Sequence, residues 1–362
     1  MKKILFITHD CYRAGAQLLL LNYLKWLKSN KSDVVIHVLI MGEGELLNEF
    51  QQFDHFYTYP KNKISIKFFH IWLKYLLWSN KIDLVYSNTV MNQEILNQID
   101  SFNIPVLIHV HEMNYWLNQS KFVAKKQYRY LVASNAVKKL IIEKYGIENK
   151  KIQLVYEYVN TLQLQNQTKK SIAGLLGTNN SDIVIGACGI ESFRKGKDLF
   201  VPLANFVFEK YKHLNIHFVW FGGDVNSIIR KDWENSKYRS NIHFIHSIPQ
   251  VSEYFADLDL FLMLSREDPF PTVNLEVGIH GIPIICFKNC GGTEELIKED
   301  AGVAVEAFDL NIMADEIILL LKDKEKRLVL GNNLKKRILD NFDIHKTGEE
   351  IYQILNNLLS KK

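Results

Sequence analysis

Two carboxylates, Asp268 and Glu276, bracket seven residues in the run Ser265-Arg266-Glu267-Asp268-Pro269-Phe270-Pro271-Thr272-Val273-Asn274-Leu275-Glu276. The segment between them opens as a Pro-rich turn and closes as the first turns of a helix. Backbone N–H groups at such a helix start lack partners and point outward, which suits phosphate. An ionised carboxylate accepts hydrogen bonds in pairs, which suits the hydroxyls of a sugar or a ribose. Backbone N–H donors at Thr272 and Val273, set up by Pro271 before them, with an acid on either side, describe a site for a nucleotide sugar. The first acid is Asp268, or Glu267 if the turn carries one more residue.

Other stretches could share that chemistry. Ile183–Gly189 reads as a strand and runs into Ile190-Glu191-Ser192-Phe193-Arg194-Lys195-Gly196-Lys197-Asp198-Leu199. Cations at a helix start oppose the helix dipole, so Arg194 and Lys195 are best explained by an anionic partner such as a diphosphate. Cys290-Gly291-Gly292-Thr293-Glu294-Glu295 follows another strand, and its two glycines allow a ligand close to the backbone. Arg13-Ala14-Gly15-Ala16-Gln17 links the first strand to a helix over residues 18–27. In His109-Val110-His111-Glu112, strand alternation puts both histidines on one face, with His111 at the carboxyl end. Ser87-Asn88 and Ser134-Asn135 also end strands.

The elements that must hold these residues alternate along the chain. Apolar, β-rich runs fall at residues 3–8, 34–40, 84–87, 105–111, 130–134 and 152–156, then at 183–189, 216–222, 242–246, 260–264, 282–287 and 302–305. Helical patterns separate them. Near-continuous apolar strands between helices mean parallel sheets covered on both faces. At 362 residues the chain exceeds what one core usually supports. The expected fold is therefore α/β, two Rossmann-like domains facing across a cleft. Domain boundaries are expected at 1–165 and 166–340, with a terminal helix over 341–362 returning to the first domain. Ligands in such sheets bind at the carboxyl ends of the strands.

Asp268 and Glu276 with their seven-residue spacing, the strand entry Gly281-Ile282-Pro283, the run Arg194-Lys195-Gly196-Lys197-Asp198-Leu199, Gly291-Gly292-x-x-Glu295 and the His111-Glu112 pair together resemble the family 4 retaining glycosyltransferases. The family pattern has Gly where Pro271 stands and an Arg where Ile190 stands. The resemblance implies the GT-B fold and transfer of a sugar, with retention, from a UDP- or GDP-sugar to a glycan or lipid-linked acceptor in surface polysaccharide or lipopolysaccharide assembly. By the same resemblance Lys195, with Arg194 in place of the missing Arg, binds the donor diphosphate, Glu276 the ribose, and Asp268 or Glu267 the sugar. His111 contacts that sugar from the first domain, Gly15 lies in a loop that closes over the ligands, and Gly291 and Gly292 form a phosphate or sugar loop. No metal or other cofactor is implied. A non-catalytic protein of the same fold, binding a partner transferase or a glycan, and a nucleotide-sugar epimerase are the alternatives.

Charge and composition add partners. Through residue 165 there are 20 Lys/Arg against 13 Asp/Glu, and beyond it 24 against 27, so the first half faces something anionic. Residues Lys61–Lys81 combine five lysines with Phe68, Phe69, Trp72, Tyr75 and Trp78, the composition of a helix at a membrane surface and equally of an ordinary helix packed on a sheet. No apolar run reaches the ~18 residues of a membrane span. Four unpaired-looking cysteines, Cys11, Cys188, Cys286 and Cys290, fit a reducing compartment. The expected location is cytoplasmic, peripheral on the inner face of the membrane. Basic residues are dispersed without a recognition motif, which argues against nucleic acid.

Overall fold

The computed structural model describes residues 1–60, 63–120, 122–125, 127–212 and 215–360. Lys61, Asn62, Lys361 and Lys362, which belong to the expected basic helix and terminal helix, lie outside the described residues. Two compact units divide the chain, one formed by Met1–Tyr158 with Ile344–Lys362 and the other by Val159–Asp343.

In the N-terminal unit, β1 (Lys2–Thr8), β2 (Val34–Ile40), β3 (His55–Thr58), β4 (Leu84–Ser87), β5 (Val106–Val110), β6 (Arg129–Val132) and β7 (Ile152–Leu154) form one parallel sheet in the order β3-β2-β1-β4-β5-β6-β7. In the C-terminal unit, β8 (Ile183–Cys188), β9 (Ile216–Phe221), β10 (Ile242–Ile245), β11 (Leu260–Met263), β12 (Ile284–Phe287) and β13 (Gly302–Val305) form a second, in the order β10-β9-β8-β11-β12-β13. Both are doubly wound, with winding reversing between β1 and β4 and between β8 and β11. Those reversals are where an open parallel sheet leaves a crevice for ligand.

The apolar strands are buried on both faces because helices cover each side. Ile4, Phe6, Val38 and Tyr86 pack with Leu20, Tyr23 and Leu24 of helix Gly15–Asn30 on one side of the first sheet. Leu5, Ile7, Val85 and Ile108 pack with Leu73, Leu76, Ile95 and Leu96 on the other. The terminal helix Ile344–Leu359 contributes Ile351, Tyr352 and Leu355 to the first of these cores. Lys2 donates to Asp33 at 2.5 Å, and Tyr352 donates to the same carboxylate at 2.8 Å.

Two expectations need correction. The boundary read at 165/166 falls at Tyr158/Val159, and the one at 340/341 falls at Asp343/Ile344. The polar run after Asn160 is helical over Thr161–Asn166 and tied to the second unit by Asp343, whose carboxylate accepts from the Thr161 amide at 3.1 Å and hydroxyl at 2.6 Å. The first sheet also has one strand more than expected. Strand β3 has no fully buried residue, so it carries no apolar run.

Candidate functional site

The chemistry of the C-terminal unit gathers at its winding reversal. After β8, Ser192 caps a tight turn by accepting from the Arg194 amide at 3.3 Å. The chain then passes Gly196 at φ +72°, where a Cβ would lie 2.1 Å from the Leu264 carbonyl oxygen. Only glycine permits that approach, and it brings the Arg194-Lys195 turn against the end of β11. Lys195 Nζ donates to Asp268 Oδ2 at 2.6 Å, and Arg194 Nη1 lies 3.5 Å from the same oxygen. Arg194 Nη1 also donates to the Glu267 carbonyl at 2.7 Å, and the Arg266 amide donates to the Arg194 carbonyl at 2.8 Å.

The turn after β12 closes the arrangement. The Asp268 amide donates to the Cys290 carbonyl at 2.8 Å, and the Gly292 amide donates to the Asp268 carbonyl at 3.1 Å. Gly291 sits at φ +131°, where a Cβ would be 1.7 Å from the Asp268 carbonyl oxygen. The glycine pair therefore holds the Asp268 backbone, and the Gly292 N–H is already used. Helix Thr272–Gly278 follows Pro271, with neither a side-chain cap nor an acid in its first turn. Glu276 is partly buried on that helix, and burial pushes its carboxyl up to about 7. The neighbouring Cys188 thiol at the end of β8 is pushed up to about 12 by burial, with the Glu276 charge adding and the Lys195 charge opposing. Lys195, Asp268, Glu276 and the end of β8 are thus brought together. Ile190 is exposed, and Arg194 is the cation that stands next to Lys195.

Lys197, which sequence reasoning passed over, is fully buried. Its Nζ donates to the carbonyls of Gly222, Gly223 and Asp224 at 3.0, 3.1 and 2.8 Å. All three ammonium protons are therefore satisfied. The turn it holds packs on the β8 loop: a Cβ at Gly223 would lie 2.4 Å from the Glu191 amide nitrogen. Arg266 adds a fork to Asp198, two bonds of 2.7 Å, with its guanidinium 3.8 Å over the Phe193 ring.

In the N-terminal unit the strand ends hold histidines and carboxylates. His109 and His111 share a face, their rings 3.8 Å apart. His111 Nδ1 lies 2.6 Å from Glu157 Oε1, and Tyr86 Oη lies 2.6 Å from His109 Nδ1. Burial disfavours charge on His111, but the Glu157 carboxylate outweighs it and holds the imidazole above its ordinary range. Burial, and then the adjacent His111, press His109 well below that range. Thr89 donates to Glu112, whose carboxyl burial raises. Glu157 was missed because a single acid within Val155-Tyr156-Glu157-Tyr158 carries no pattern. Among the described residues, His109, His111 and Glu157 are the only trio whose ligand atoms come within 4.8 Å. Each ring already uses Nδ1 on a neighbour. Gly15 starts helix Gly15–Asn30, and a Cβ there would meet nothing within 4 Å, so no steric demand requires glycine.

The model of the family described as glycosyl transferases group 1 matches residues 176–337. The chain is 23% identical over 231 residues to the capsular polysaccharide biosynthesis glycosyltransferase CapM of Staphylococcus aureus, covering 62% of this chain and 60% of that one. It is 27% identical over 215 residues to N-acetyl-alpha-D-glucosaminyl L-malate synthase of Bacillus anthracis, covering 58% and 55%. These matches therefore span less than two thirds of either relative. Among solved structures, Anabaena Alr3699/HepE in complex with UDP-glucose superposes with a TM-score of 0.82 at 17% identity, covering 99% of this chain and 100% of that one.

Proposed function

From the premise that residues 176–337 belong to the glycosyl transferases group 1 family, on a chain with the GT-B fold, we propose a retaining glycosyltransferase. It transfers a sugar from a nucleoside diphosphate sugar to a glycan or lipid-linked acceptor of surface polysaccharide. The observation that carries this reading is the convergence of Lys195 and Arg194 on Asp268, beside Glu276. Two adjacent cations held by one carboxylate leave a surplus positive charge where a diphosphate would need it. UDP-glucose in the Anabaena protein and the capsular role of the Staphylococcus relative support the donor and acceptor classes.

Lys195 and Arg194 neutralise the diphosphate as the bond from its oxygen to the sugar C1 breaks. N–H groups at the start of helix Thr272–Gly278 add to that electrostatic stabilisation, without a metal. Asp268 accepts from sugar hydroxyls and Glu276 from the ribose. The acceptor oxygen forms its bond to C1 on the face the diphosphate leaves, and its proton passes to a phosphate oxygen of that leaving group. Within the N-terminal unit, His111 with Glu157 behind it is that unit's candidate partner for a sugar hydroxyl.

A thermal-shift panel of UDP, GDP, CMP and their sugar conjugates tests the reading. A ligand at one hundred times its dissociation constant adds about 2.7 kcal/mol to stability. One nucleotide class should raise the melting temperature of the wild type, with a smaller rise in Glu276→Ala. No shift with any nucleotide would overturn the assignment.

A further inference from the structure

Helix Lys63–Ser79 has two apolar faces, and only one of them is covered. Phe69, Leu73, Leu76 and Leu77 are buried against the first sheet. Phe68, Ile71, Tyr75 and Trp78 stand 68%, 67%, 61% and 73% exposed. At about 100° per residue the exposed four form one row, roughly half a turn away from the buried four. Lys67 and Lys74, both exposed, fall along one edge of that row. No Asp or Glu occurs from residue 63 to residue 82.

We propose that this outer face of helix Lys63–Ser79 docks on an anionic lipid bilayer, with Phe68, Ile71, Tyr75 and Trp78 entering the interface and Lys67 and Lys74 meeting the headgroups. A contiguous row of large apolar side chains in water marks an interaction surface rather than scattered exposure. Its chemistry selects the partner. Tyr and Trp favour the boundary between headgroups and acyl chains, where one end of the ring is apolar and the other wet. Lysines extend their stems over apolar surface and keep the ammonium among headgroups. Each cation at an anionic leaflet contributes about 1 kcal/mol, and the surplus of seven positive charges through residue 165 acts in the same direction. A second copy fits less well. A row about 15 Å long is short of the ~800 Å² per partner that a stable interface buries, and two-fold pairing would set lysine rows of one sign together.

The test is co-sedimentation with vesicles of phosphatidylcholine alone and of phosphatidylcholine with about three parts in ten phosphatidylglycerol. Wild type is compared with Phe68→Ser/Trp78→Ser and Lys67→Glu/Lys74→Glu. All four side chains are exposed, so both variants should melt with the wild type. The wild type should bind the anionic vesicles at least about tenfold better than the neutral ones, and less well at high salt. Either variant should lose at least about tenfold in that binding. Failure of the wild type to bind anionic vesicles overturns the proposal, as does undiminished binding by both variants. A dimer in light scattering that the aromatic variant abolishes would overturn it in favour of self-association.

Discussion

The two sheets wind alike, and each reverses beside its first strand, yet their carboxyl ends hold opposite chemistry. In the C-terminal unit, glycines at 196 and 291 draw three loops together so that Lys195 and Arg194 share one carboxylate, Asp268. In the N-terminal unit, the strand ends bury His109 and His111 with Glu157 and Glu112 nearby, and each charge depends on the next. Topology chooses where a ligand can sit, and the loop residues choose its charge. The first arrangement suits a stable anion. The second suits a group that must be oriented and kept in one protonation state.

The largest expected effect falls on the cationic side. Lys195→Met removes the charge that the proposed reaction sets against the leaving group and should lower the transfer rate about 100- to 1,000-fold, the range for losing one such stabilising donor. Steady-state rates at saturating donor measure it, and a loss under about threefold would break the contrast between the units.

Next comes the buried ammonium. Lys197→Met strips the partner from three carbonyls behind the β8 loop and should lower unfolding stability by about 2–3 kcal/mol, read by denaturant melts. Unchanged stability would mean that the Gly222–Asp224 turn holds itself.

On the histidine side, Glu157→Gln should shift the His111 titration to lower pH, seen by NMR of the imidazole. The sign follows from linkage. His111 is held above its unfolded value, so the pair stabilises the fold below about pH 6.5 and that stabilisation is lost as pH rises through the folded value. The variant should therefore lose stability at pH 6 and little at pH 9. An unmoved titration would show that Glu157 does not set the charge.

The smallest effect concerns Glu276. Its carboxyl, raised to about 7, must ionise to accept fully from a ribose, so donor affinity should rise from pH 6 and level off above pH 7. Glu276→Gln should bind more weakly with no such rise. Because its folded value is raised, ionising it costs stability as pH climbs from about 4.5 to 7. Glu276→Gln should therefore melt higher than wild type at pH 8 and alike at pH 4. Calorimetric binding and melting across that range check both.

Much of this was legible because buried parallel strands leave runs such as Leu260-Phe261-Leu262-Met263, which nothing else explains as simply. Strand β3 was not, since an edge strand without a fully buried residue leaves no such run. Lys195 and Asp268 were legible as types in a pattern. Which acid pairs with the lysine was not, because one residue more or less in a turn exchanges Glu267 for Asp268. Asp268 is buried and meets both cations, while Glu267 offers Arg194 its carbonyl. Lys197 and Glu157 lay beyond sequence reasoning altogether. Their partners are distant in the chain, and a single charge reads as surface until its burial is known.

Titration calorimetry of UDP and of GDP into wild type and Lys195→Met tests the central claim, that the winding reversal of the C-terminal sheet binds the donor diphosphate. One nucleotide should bind the wild type and bind the variant at least about tenfold more weakly, a difference of about 1.4 kcal/mol. Equal binding by both proteins, or none by either, would contradict it.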